Sequence, residues 1–147
     1  MVAGGSPFVH TLRVRYAEVD GQKIVYNAHY LTYLDVAITE YFRNFGIAFV
    51  DAAAFDIALV KATLEFKRPA RLDDVLDIHV SLPRLGNASF TGRFRVCPHG
   101  RGAEHDPHLE AEIVYVSVSE EGRAVPIPDW VRQRIQAFEH PAAASGG

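Results

Sequence analysis

The chain has 147 residues, 48% of them hydrophobic and 22% charged, with a formal charge of −3. This fits one soluble globular domain over 1–147 with enough apolar residues for a core, and it gives no electrostatic case for binding nucleic acid. The single cysteine, Cys97, excludes an internal disulfide framework; no apolar leader pattern opens the chain and no run approaches a membrane span, so a cytoplasmic protein is expected.

Residues 1–7 and 141–147 are dominated by Gly, Ser, Pro and Ala and read as flexible ends. Residues 8–16 then alternate. Phe8, His10, Leu12, Val14 and Tyr16 share one face, and Thr11, Arg13 and Arg15 share the other, which predicts a half-buried strand. A loop follows with a lone carboxylate, Asp20, and a polar turn, Gly21-Gln22-Lys23. From residue 27 the period changes. Tyr30, Leu34, Ala37, Tyr41 and Phe45 recur at helical spacing, Leu31, Ile38 and Phe42 widen the stripe, and Asp35, Thr39 and Arg43 mark the solvent side. Asn27 is a good N-cap residue and Gly46 a good left-handed terminator, giving a helix about 27 Å long.

Residues 47–56 form an apolar connection compatible with a short helical turn. Alternation returns at 57–67, where Ala58, Val60, Ala62, Leu64 and Phe66 oppose Lys61, Thr63, Glu65 and Lys67. Asp73-Asp74 reads as a turn. Leu76, Ile78, Val80 and Leu82 alternate until Pro83 and Gly86-Asn87, and then Phe90, Phe94 and Val96 do the same. Residues 109–118 are the last clear strand. Its centre is apolar on both faces, so it should lie inside the sheet. Pro128 and Asp129 open a final helix with Val131, Ile135 and Phe138 as its stripe. Five or more similar strands around one apolar helix is an α+β pattern, in which an antiparallel sheet clasps the helix.

A carboxylate that folds back over a helix N-terminus pairs a nucleophile or base with free amides able to hold an oxyanion. Asp20, seven residues before Asn27, has that spacing; the plainer reading is a solvated or capping carboxylate. Cys97, His99, His105 and His108 are the only cluster resembling metal ligands. Their order fits no familiar zinc motif and their segment reads as a long hairpin loop, so no metal is assigned.

Asp20, Ile24-Val25-Tyr26, Asn27, Tyr30 and the helix after them resemble the signature of the 4-hydroxybenzoyl-CoA thioesterase family. Residues 60–78 resemble the branch encoded with the Tol–Pal system, above all at Arg68-Pro-Ala-Arg-Leu-Asp-Asp74. The resemblance spans about residues 8 to 138. It implies the hotdog fold, an antiparallel sheet wrapped round one long helix and paired into dimers, and hydrolysis of an acyl-CoA thioester without metal or bound cofactor. It implies further that Asp20 attacks the thioester carbonyl or activates water, while the backbone amide at Asn27 polarises that carbonyl. Tyr26, His29 and Tyr30 flank the same helix start as candidate substrate contacts. Lys67, Arg68 and Arg71 are candidate contacts for CoA phosphates. One position departs from the family: Lys23 stands where glycine is usual, and a positive φ there would suit lysine poorly. Two other readings stay open, a hotdog hydratase or dehydratase pairing Asp20 with His29, and a non-catalytic acyl-binding protein. Tyr33, Phe42, Phe55 and Trp130 exceed what a monomer readily hides, so a homo-oligomer, dimer or tetramer, is expected.

Overall fold

The structure is a computed structural model that describes residues 8–49, 55–103 and 106–140. The two ends expected to be flexible, part of the 47–56 connection and His105 lie outside the described residues. The elements run β1 (Phe8–Arg13), a single 3₁₀ turn (Tyr16–Glu18), α1 (His29–Arg43), β2 (Asp56–Phe66), β3 (Val75–Leu85), β4 (Ser89–Pro98), β5 (Leu109–Val118) and α2 (Asp129–Glu139). The strands form one five-stranded sheet in the order β1-β3-β4-β5-β2. Every neighbouring pair is antiparallel, from Phe8 opposite Val80 at one edge to Phe66 opposite Leu109 at the other. The expected interior strand is β5, held between β4 and β2.

Alternation puts one face of this sheet against the helices. Ile78 and Val80 of β3, Phe94 and Val96 of β4, and Leu109 and Ile113 of β5 are buried with Leu34, Ile38, Tyr41 and Phe42 of α1. The α1 helix lies against β1 and β3, and α2 lies against β3. Phe42 makes edge contacts with Phe49 and Phe90 and a tilted contact with Phe55, while Tyr41 meets Phe8 and Phe138 edge-on. Such pairs contribute about 0.5–1.5 kcal/mol each beyond the area they bury. No helix among the described residues is long and apolar enough to cross a membrane.

Several expectations need correcting. The helix starts at His29, and its N-cap position is Ala28, in helical conformation with no side-chain cap. Asn27 instead belongs to a preceding turn, where its carbonyl accepts the Tyr30 amide at 3.2 Å. The α1 helix therefore has 15 residues, about 22 Å, rather than 27 Å. It ends as expected, with Gly46 at a φ of +82°. Leu31 of α1 is exposed rather than part of the buried stripe, and Tyr16 is exposed because it has already left the strand for the 3₁₀ turn. The alternation of β2 breaks at a bulge between Leu59 and Lys61, which turns Val60 out to solvent. Tyr33, Phe42 and Phe55 are buried within one chain, so they are no argument for an oligomer. The exposed apolar residues include Leu59, Val60 and Phe66, all on the edge strand β2.

Candidate active site

The chain leaves β1 and folds back on itself. Val19 pairs with Val25, and the Asp20 amide donates to the Ile24 carbonyl at 2.9 Å. The Lys23 amide donates to the Asp20 carbonyl, and Asp20 Oδ1 accepts the Gln22 amide at 2.8 Å, an Asx turn that fixes the carboxylate on its backbone. Lys23 has a φ of +65°, the left-handed conformation that a glycine would take at little cost. Its ammonium sits 4.6 Å from the centre of the Tyr16 ring, and that cation–π contact offsets part of the strain.

This turn rests on the 67–74 segment. The Val25 amide donates to the Ala70 carbonyl and the Leu72 amide to the Lys23 carbonyl, while Ile24 pairs with Arg71. The segment is shaped by its own turn, with Asp74 Oδ2 accepting the Arg71 amide and Asp73 at a φ of +73°. His108, almost fully buried, props it from the other side. Its Nδ1 lies 3.3 Å from the Arg68 carbonyl and 3.1 Å from that of Pro69, so it donates there, and burial pushes its pKa down, which favours the neutral ring.

The start of α1 faces the same region. The His29 amide donates to the Tyr26 carbonyl and the Tyr30 amide to that of Asn27. The amides of Asn27 and Ala28 have no acceptor among the described residues, and they stand at the positive end of the helix. Tyr26 is exposed and meets the half-buried His29 ring edge-on. Tyr30 is buried, and its hydroxyl accepts the Ala70 amide at 3.3 Å, tying the helix to the segment under the Asp20 turn.

The three expected cations separate. Lys67 binds Glu65 at 2.9 Å and lies 3.8 Å from Glu110, and Arg68 donates to the Asp106 carbonyl. The Arg71 side chain has no partner among the described residues, and its backbone adjoins the Asp20 turn. Of the Cys and His residues considered as ligands, Cys97, His99 and His108 also go to different partners. The Cys97 thiol points to the Ala103 carbonyl, and burial pushes its pKa up to about 11. His99 pairs with Asp77 at 2.8 Å, while His108 holds the 67–74 segment. Among the described residues no three His, Cys, Asp or Glu side chains gather as a metal-ligand set.

Sequence reasoning missed Glu18 and Tyr33. Glu18 is buried beneath the turn, and its carboxylate accepts the Arg15 amide, the Arg15 guanidinium and the Tyr33 hydroxyl. The only signal for Tyr33 was its position three residues after Tyr30, on the adjoining part of the helix stripe.

A family model described as the thioesterase-like superfamily matches residues 14–135. The chain belongs to that superfamily. It is a thioester hydrolase by enzyme class. It is 32% identical over 109 residues to the acyl-CoA thioester hydrolase YbgC of Escherichia coli, covering 73% of this chain and 78% of that one. It is also 32% identical over 87 residues to a putative esterase of Aquifex aeolicus, covering 58% and 68%. A thioesterase of Thermus thermophilus complexed with coenzyme A and Zn superposes with a TM-score of 0.80 at 25% identity, over 92% of this chain and 96% of that one. The superfamily match takes in the Asp20 turn, α1 and the 67–74 segment.

Proposed function

We propose that this chain hydrolyses an acyl-CoA thioester to a carboxylic acid and free CoA, with Asp20 as nucleophile or general base and the Asn27 amide polarising the thioester carbonyl. One observation carries this reading: a carboxylate held on a tight turn is joined by a short ladder to the start of α1, where the Asn27 and Ala28 amides lack acceptors among the described residues. As nucleophile, Asp20 adds to the carbonyl carbon, CoA leaves as thiolate, and water cleaves the resulting anhydride. As base, it takes a proton from the attacking water. In both cases negative charge builds on the carbonyl oxygen, and an amide at a helix N-terminus stabilises it without reorganising.

Arg71, with its guanidinium unpaired among the described residues and its backbone beside the turn, is the best of the three cations for a CoA phosphate. Lys67 and Arg68 serve their own loops first. Tyr26 and His29 border the acyl group, and Tyr30 acts through packing. The enzyme works as a homo-oligomer, dimer or tetramer, whose shared sheet is made by pairing β2 edges. The unpaired edge of β2 and its exposed Leu59 and Val60 support this reading. The one-domain, cytoplasmic hotdog enzyme envisaged here wraps its sheet round α1, carries no cofactor, and stands near the Tol–Pal-associated branch on the strength of residues 68–74.

The test is a panel of short, long and aromatic acyl-CoA esters assayed for free thiol. Release from at least one is expected. Release from none, with binding retained, would support an acyl-binding protein instead.

A further inference from the structure

We propose that Glu18 and Tyr33 act as a positioning pair that sets the separation between Asp20 and the Asn27 amide. The proposal rests on the catalytic reading of those two groups. Glu18 is only 3% exposed and Tyr33 only 2%. A carboxylate this buried is costly unless its oxygens are satisfied. Here Oε1 accepts the Arg15 amide at 2.8 Å and the Tyr33 hydroxyl at 2.7 Å, and Oε2 accepts the Arg15 guanidinium. Burial works against ionisation, but the Arg15 amide, its guanidinium and the Tyr33 hydroxyl outweigh it and hold the carboxyl below its ordinary range. An ionised carboxylate with all of its donors in place is a poor proton acceptor, so Glu18 is not a second base.

Its position explains its use. The Glu18 backbone carbonyl accepts the Tyr26 amide at 2.9 Å. One residue therefore grips the exit of β1 through Arg15, the body of α1 through Tyr33, and the far end of the loop through Tyr26. Asp20 follows two residues later, beyond the Val19–Val25 pair, and Asn27 follows Tyr26 directly. Any shift of Glu18 moves the carboxylate against the amide. A misplacement of about 1 Å between reacting groups can cost about 10²-fold in rate.

The test measures kcat, KM and melting temperature for wild type, Asp20→Asn, Tyr33→Phe, Glu18→Gln, Glu18→Ala and the double variant Glu18→Ala/Tyr33→Phe. All are assayed well below their melting points with one acyl-CoA that the wild type cleaves. Tyr33→Phe keeps the ring and removes one bond to Oε1; kcat should fall about tenfold with KM unchanged within about twofold. Glu18→Ala should lose about 10²-fold. Glu18→Gln keeps an oxygen for the Arg15 amide and Tyr33, so it should recover a large part of that loss. In the Glu18→Ala background Tyr33→Phe should cost nothing more, because its partner is gone. A role in stability alone would lower the melting temperature and leave kcat intact. Wild-type kcat in Tyr33→Phe, or additive losses in the double variant, overturns the pair while the catalytic reading stands on an inactive Asp20→Asn. An active Asp20→Asn overturns both. If Glu18→Ala does not fold, Tyr33→Phe and Glu18→Gln decide the question.

Discussion

Replacing Asp20 by Asn isolates the charge from the structure around it. The side chain is exposed, and its one structural duty is to accept the Gln22 amide at Oδ1. An asparagine oxygen can accept the same bond, and the main-chain bonds from Asp20 to Ile24 and from Lys23 to Asp20 do not involve the side chain. The variant should therefore keep its fold, with stability within about 0.5 kcal/mol of wild type, as for surface changes that break no specific contact. It loses both the nucleophile and the base. A directly acting group of this kind contributes about 10²- to 10⁴-fold, so kcat should fall at least about 10²-fold, or about 2.7 kcal/mol of transition-state stabilisation. Continuous release of CoA thiol from a good acyl-CoA substrate gives kcat and KM, and circular dichroism with a melting curve checks the fold. A folded Asp20→Asn enzyme within tenfold of wild-type kcat would refute the assignment.

Asn27→Ser should cost less than about tenfold in kcat, whereas Asn27→Pro, which deletes the amide, should cost about 10²- to 10³-fold if circular dichroism and oligomer size are unchanged; a serine variant as inactive as Asp20→Asn would place the chemistry on the side chain. Sedimentation at micromolar concentration should show a dimer or larger, and Val60→Asp on the exposed β2 edge should shift it towards monomer with loss of activity; a wild-type monomer near 16.3 kDa would count against the shared-sheet reading. Tyr16→Ala should destabilise the wild type by about 0.5–1 kcal/mol through the lost Lys23 contact and should cost almost nothing in a Lys23→Gly background, so equal costs in both would remove the cation–π account. His79 is buried with Nε2 unpartnered among the described residues, and burial lowers its pKa, so the unfolded chain takes up a proton there first and stability is lost as pH falls below about 6.5; His79→Leu should raise stability by about 1 kcal/mol at pH 7 and flatten that part of the acid decline, and an unchanged melting curve across pH 7 to 5 would contradict it.

The sequence showed the site more clearly at one end than at the other. Periodicity of 3.6 gave the apolar stripe of α1, and alternation gave Phe90, Phe94 and Val96 of β4, because both patterns report burial on one face; the two-sided apolar centre of residues 109–118 marked β5 as an interior strand. The N-cap was misread because propensity is local. Asn27 suits a cap, but the Tyr26 amide just before it is held by the Glu18 carbonyl, and the chain makes a turn before the helix begins. The bulge at Val60 had no glycine or proline to announce it. Tyr33, Phe42 and Phe55 looked like surplus aromatic surface because a sequence does not reveal how tightly edge-on and tilted rings can nest. Asp20 stood out because a turn and a helix start bracket it. Glu18 did not, since an acidic residue in a loop is ordinarily solvated and its partner Tyr33 lies 15 residues further on.

The same reasoning accounts for residues 68–74, the stretch on which the resemblance to the Tol–Pal-associated branch was read. It acts through its backbone. The Ala70 carbonyl receives Val25, the Ala70 amide meets the Tyr30 hydroxyl, and the Leu72 amide reaches the Lys23 carbonyl. These bonds require a fixed path, which the Asp74 cap on Arg71 and the left-handed Asp73 supply. Once that path is set, the turn carrying Asp20 is constrained from both sides, by 68–74 beneath it and by Glu18 behind it. Lysine then occupies a left-handed position that would suit glycine better. The left-handed conformation costs about 1 kcal/mol, and Tyr16 offsets part of it through its contact with the ammonium. Lys23 therefore holds its left-handed conformation inside a turn closed by the Asp20–Ile24 and Lys23–Asp20 bonds, and it adds a cation beside Asp20.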